Sequence, residues 1–178
     1  QVNGRAGSVL SRLSVLAKAK DIAGQASMYG LLARIGDDSA LPILRAALAS
    51  KTPELSDAAA RAIVAWPTPA AKDDAFDLAE SASSATVKVL ALRGAVRMTA
   101  LERYRAPKAV VRDLGHALKL AERPEEKKLV LGRLPDFSCP EALALAGTLL
   151  GDKDVTAEAQ AAIDRIKTAL VQAAKSGD

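Results

Sequence analysis

Large apolar residues close helix-like stretches of this chain at nearly regular intervals. They are Ile35, Trp66, Met98, Leu134 and Ile166, and the steps between them are 31, 32, 36 and 32 residues. The residues three and four positions before each are apolar or small, and apolar positions at i, i+3 and i+4 share one face of an α-helix. The pattern predicts a repeated amphipathic helix with a buried stripe formed by Leu32, Ile35, Ile63, Trp66, Met98, Leu131, Leu134, Ile163 and Ile166.

Shorter apolar stripes lie between these stretches and predict a second set of helices, over residues 7–19, 38–49, 69–82, 107–121 and 138–150. Proline suits the first turn of a helix, so Pro53, Pro107 and Pro124 mark helix starts. Ser138 and Glu141 have the spacing of a capping box. Turns are expected at 36–38 and 151–152, and the segment 102–106, where the period lengthens, is expected to be irregular.

An array of such helix pairs is the simplest fold that fits this period. One pair cannot bury its own apolar stripe, but stacked neighbours can. The sequence shows no strand-like alternation. It therefore predicts an all-α fold, a right-handed α-solenoid (a HEAT-like or armadillo-like superhelix) of about five antiparallel helix pairs. We expect residues 1–178 to form a single repeat domain that is a fragment of a larger protein.

Two segments carry a resemblance to a known family. Residues 32–44 read LARIGDDSALPIL, and residues 131–143 read LGRLPDFSCPEAL with Pro135 in place of the usual glycine. Both resemble the turn-and-helix signature of bacterial HEAT repeats of the phycobilisome-lyase type, whereas residues 66–69 and 98–100 depart from it. The resemblance implies a helical scaffold and names no ligand, because this signature contains no catalytic residue.

Composition narrows the choice of function only slightly. Apolar residues make up 49% of the 178 residues and aromatic residues 3%, so alanine, leucine and valine must build the core. The net charge of +4 is mildly basic, which slightly favours an acidic partner. A single cysteine excludes an internal disulfide. No apolar run approaches the ~20 residues that span a bilayer, so we expect no membrane span.

A series of arginines is the strongest candidate for a binding surface. Arginine precedes four of the five periodic apolar residues, and the stretch 87–112 carries seven basic residues against one acid. Such a ladder suits a phosphate backbone or an acidic peptide. The competing interpretation, which we favour, is that each arginine bonds a carboxylate or turn carbonyl within the repeats. The candidate surface comprises Arg34, Arg93, Arg97, Arg103, Arg105, Arg133 and Arg165.

Other chemistry-bearing residues have simpler interpretations. The single histidine, His116, is expected on the surface, and Trp66 is expected in the core. Cys139 lies near a predicted helix start, where a thiol pKa can fall, but we interpret it as a small turn residue. The acidic helix with Asp73, Asp74, Asp77 and Glu80 is interpreted as a solvated face. We expect no cofactor and no metal site.

These observations predict a non-catalytic scaffold or spacer that binds a protein, either another domain or a subunit. The alternative is a HEAT-like nucleic-acid-binding domain that uses the basic 87–112 surface, perhaps resembling HEAT-like DNA glycosylases, which need a carboxylate beside aromatic side chains. A third interpretation, an enzyme of the phycobilin-lyase kind, has only the resemblance behind it. We expect no enzymatic activity, and the sequence does not indicate a compartment.

Overall fold

A computed structural model describes residues 21–176, and this part of the chain contains α-helices and short 3-10 helices but no β-strand. The predicted all-α class is therefore confirmed for these residues, while the expected helix at 7–19 lies outside them. The α-helices are α1 (Ile22–Ile35), α2 (Leu41–Leu48), α3 (Pro53–Val64), α4 (Lys72–Ser81), α5 (Ala85–Leu101), α6 (Pro107–Leu120), α7 (Pro124–Arg133), α8 (Pro140–Gly147) and α9 (Thr156–Ser176). Single 3-10 turns lie at Asp38–Ala40, Pro69–Ala71 and Leu134–Phe137.

Local signals set most of the helix boundaries. Pro53, Pro107 and Pro124 are the first residues of their helices, as predicted. Gly36 ends α1 in the left-handed conformation with φ of 68°, and its amide donates to the Leu32 carbonyl at 2.9 Å. A glycine adopts this conformation without steric penalty. The predicted turn at 36–38 and the irregular segment at 102–106 are both confirmed.

The predicted capping box at Ser138 is wrong. Pro140 is the first residue of α8, so Cys139 takes the capping position with an extended backbone, as residues before proline prefer. The Ser138 hydroxyl lies one residue too early and donates instead to the Pro135 carbonyl at 2.9 Å. A carboxylate does cap α7, where the buried Glu126 accepts from the amides of Glu122 and Arg123 at 3.0 and 3.1 Å.

The described residues fall into two compact units that divide between Gly94 and Ala95, inside α5. In the first unit, α3 packs against α1, α2 and α4. In the second unit, α6 packs against α7 and α8, and α9 packs against α7 and α8. Each unit thus brings alternate helices of the chain into contact.

The predicted core is confirmed with one exception. Leu32, Ile63, Trp66, Met98, Leu131, Leu134, Ile163 and Ile166 are all buried. Ile35 is wrong, because it is 43% exposed and lies on one ridge of α1 with the equally exposed Leu31, while Tyr29, Leu32 and Ala33 form the buried face. Nor do the periodic residues all end helices, since Ile166 lies near the middle of α9.

Candidate binding surface

The arginines of the predicted surface are divided between the two units and differ in their surroundings. Arg34 and Arg93 belong to the first unit and are exposed. Arg97, in the second unit, is half-buried, and its burial lowers the pKa of the guanidinium. Arg165 is exposed on α9. The regular sequence spacing of these arginines therefore does not give them equivalent environments.

Arg105 is part of an internal ion network. Its Nη1 lies 2.5 Å from Glu102 Oε2 and 2.7 Å from Asp113 Oδ2, and only 7% of Glu102 is exposed. Hydrogen bonds to Asp113 and then to Glu102 raise the pKa of Arg105. The network joins the irregular segment 102–106 to α6, so this arginine has the structural role that the sequence favoured.

Two further candidates lie on either side of one carboxylate. Asp136 Oδ2 is 3.9 Å from Arg103 Nη2 and 4.0 Å from Arg133 Nη1. Ion pairs at this distance between exposed side chains contribute little to stability, because water screens them. Arg103 is 73% exposed, so its guanidinium is open to solvent at this position.

Sequence reasoning missed a groove in the second unit, between α6 and α8. It has a volume of about 700 Å³. Small and apolar residues form its floor, namely Ala109, Gly115, Ala144 and Leu145. The α8 residues Glu141, Ala144, Leu145 and Thr148 line it at i, i+3, i+4 and i+7, which is one helix face. That spacing is visible in the sequence, but we read α8 from Leu143 and Ala146, which define another face.

One rim of this groove is basic. Lys108, Arg112 and Lys119 are exposed on α6, and their separations of four and seven residues place them within about 40° around the helix axis. We call these three residues the basic edge. Glu141 lies opposite, where its Oε1 is 2.9 Å from Lys108 Nζ, and this hydrogen bond is the main reason that its pKa is lowered. Counting Glu141, three positive charges face one negative charge.

The remaining predicted residues fit their simpler interpretations. Trp66 is fully buried, and its Nε1 donates to Asp38 Oδ1 at 2.8 Å. His116 is exposed on α6. Burial is the main reason that the pKa of the Cys139 thiol is raised, the opposite of an activated thiol.

The acidic helix α4 uses one of its carboxylates to contact α2. Asp74 Oδ1 and Oδ2 accept from Arg45 Nε and Nη2, both at 2.8 Å, while Asp73, Asp77 and Glu80 are exposed. Between residues 21 and 176, no three histidine, cysteine or acidic side chains are grouped to hold a metal ion. No helix in that range is long and apolar enough to cross a membrane.

Neither protein-family models nor curated proteins give a match to this sequence. The likeness to HEAT repeats thus rests on the two sequence segments and stays a prediction.

Proposed function

We propose that this chain is a non-catalytic scaffold of HEAT-like helix pairs that binds a protein, and that the α6–α8 groove is one of its binding surfaces. The observation that carries this proposal is the form of the groove, an apolar floor between charged rims. Protein interfaces have the same arrangement, with an apolar centre and a polar, solvent-accessible rim.

The packing within each unit supports the HEAT-like part of the proposal. Stacked helix pairs bring each helix against the second helix along the chain, as α1 contacts α3, α6 contacts α8 and α7 contacts α9. We infer that this stacking continues as a right-handed α-solenoid. Small-angle X-ray scattering tests it, since a solenoid gives a longer maximum dimension than a globule of the same mass.

The surroundings of the arginines favour a protein over a nucleic acid. Backbone recognition needs several cations that are available to phosphates. Arg105 is committed to two carboxylates, Arg97 is half-buried, and Arg103 and Arg133 lie near the same Asp136. Nucleic acid remains the alternative partner, and the following experiment distinguishes the two.

Site-specific photo-crosslinking tests this function. The photoreactive residue p-benzoylphenylalanine replaces Ala144 on the groove floor, and in a matched control it replaces Ala161, which is exposed on α9 outside the groove. After irradiation in cells of the source organism, we expect discrete protein adducts from position 144 and none of the same mass from position 161.

Two results would count against the proposal. Identical adducts from positions 144 and 161 would mean that the groove selects no partner. Adducts that are lost on nuclease treatment, instead of protease treatment, would show that the partner is a nucleic acid.

A further inference from the structure

We infer that the occupant of the α6–α8 groove is an acidic amphipathic α-helix of a partner protein. The inference rests on the proposed function, because it names the chemistry of the protein that the groove would bind.

The floor of the groove favours a helix over an extended peptide. An extended segment binds well where it finds unpaired backbone groups, as at a sheet edge. The floor here consists of α6 and α8, whose interior amides and carbonyls are bonded within each helix. A partner helix satisfies its own backbone in the same way, so it needs only side-chain contacts from the groove.

Small residues allow that partner helix to lie close to the floor. Gly115 and Ala144 present almost no side chain, and Leu145 lies beside Gly115 as the one large floor residue. A Cβ built on Gly115 would lie 3.6 Å from Leu145 Cδ2, which shows how closely the two helices meet there. A ridge of leucine or alanine on the partner fits this shallow floor by packing into the groove between ridges.

The charges select an acidic partner. The basic edge runs from Lys108 to Lys119, a rise of about 16 Å or three helical turns. Carboxylates spaced by four and seven residues on a partner helix would meet all three cations. Glu141, at one end of the opposite rim, is already paired with Lys108, so it leaves the excess on the basic edge positive.

Fluorescence anisotropy with defined peptides tests this occupant. The probe is a fluorescein-labelled helix of about 15 residues, or four turns, fixed by a hydrocarbon staple. It carries alanine and leucine on one face and three glutamates beside that face at the spacing of the basic edge. Matched peptides replace the glutamates with lysine, or keep them and break the helix with proline.

We expect the acidic helix to bind at least about tenfold more tightly than the lysine peptide, because complementary charge sets partner choice. The proline-broken peptide has the same charge and should bind as weakly as the lysine peptide. Equal binding of the two acidic peptides would overturn the inference, since it would mean that charge acts without helix recognition.

Charge-reversal variants locate the binding. The double variant Arg112→Glu with Lys119→Glu should invert the preference, so that the lysine peptide binds better. The control Lys88→Glu with Lys167→Glu changes the net charge equally at exposed positions outside the groove and should leave the preference unchanged. If the two double variants behave alike, the basic edge is not the determinant.

A second variant covers the case in which charge reversal beside Asp113 unfolds α6. Ala144→Glu places a carboxylate on the exposed part of the floor and should weaken the acidic helix about tenfold or more, whereas Ala144→Gln should weaken it less. Equal effects of Glu and Gln would contradict the inference. Protein adducts from position 144 together with no selective peptide binding would overturn the acidic helix alone, whereas absence of both would overturn the proposed function as well.

Discussion

Gly94 lies where α5 comes closest to α3, and adding a single methyl group there tests the packing of the first unit. An ideal Cβ on Gly94 would lie 2.6 Å from the Val64 carbonyl oxygen and 3.3 Å from the Val64 carbonyl carbon. Both atoms belong to the backbone, so no side-chain rotation relieves the contact. Gly94→Ala therefore forces α5 and α3 apart by several tenths of an ångström.

The expected magnitude follows from two opposing effects. Alanine in a helix interior is favoured over glycine by about 0.5–1 kcal/mol, because glycine loses more backbone entropy on folding. Overpacking a close contact costs about 1–3 kcal/mol. The clash wins, and we expect Gly94→Ala to lower the free energy of unfolding by about 1–2 kcal/mol.

Gly30→Ala is the matched control in the same unit. Gly30 lies inside α1, and a Cβ there meets nothing within 4 Å, so only the entropic effect remains. We expect this variant to gain about 0.5–1 kcal/mol. The assay is urea unfolding followed by the fluorescence of Trp66, the single tryptophan of the chain, which is buried in the first unit. If Gly94→Ala stabilises the protein as much as Gly30→Ala, then α5 does not approach α3 as closely as the structure shows.

Three further variants test the second unit. Leu131 is 1% exposed, so Leu131→Ala should cost about 2–5 kcal/mol in chemical unfolding, and a cost near zero would contradict its place in the core. The Thr99 hydroxyl is buried without a hydrogen-bond partner, so the isosteric Thr99→Val should raise stability by about 1 kcal/mol, and a loss would reveal a hidden partner. Asp152 accepts from Lys127 at 2.7 Å, mainly for which reason its pKa is lowered. This pair stabilises the fold above the unfolded-state pKa of about 3.9 and stops doing so as the pH falls through the lowered value, so the stability lost in Asp152→Asn at neutral pH should vanish in acid.

The sequence predicted the helices well, because their boundaries depend on residues close together in the chain. Proline fixes the first turn of α3, α6 and α7, and Gly36 supplies the left-handed residue that ends α1. The apolar spacing identified eight of nine proposed core residues for the same reason. These are signals that act within one or two helical turns.

The failures arise where a second helix decides the outcome. Ile35 fits the periodic pattern, yet α1 turns Leu32 and Ala33 toward the rest of its unit and leaves the Leu31–Ile35 ridge exposed. The groove was missed because it exists only between α6 and α8, which are separated by a complete helix, α7. A pattern read along one helix gives its apolar face, but not how much of that face a neighbour covers.

The arginines show why a repeated residue is weak evidence for a repeated role. Arg105, inside the basic stretch, owes its two close carboxylates to the fold of 102–113, whereas Arg45, outside every periodic position, bridges α2 to α4 through Asp74. The basic edge was equally invisible as a unit, since Lys108 and Arg112 lie in the basic stretch and Lys119 lies beyond it. What these cations can bind depends on the carboxylates within about 4 Å and on the surface beside them. For the basic edge that surface is an apolar groove, and this is why we assign it to a protein helix and not to a phosphate backbone.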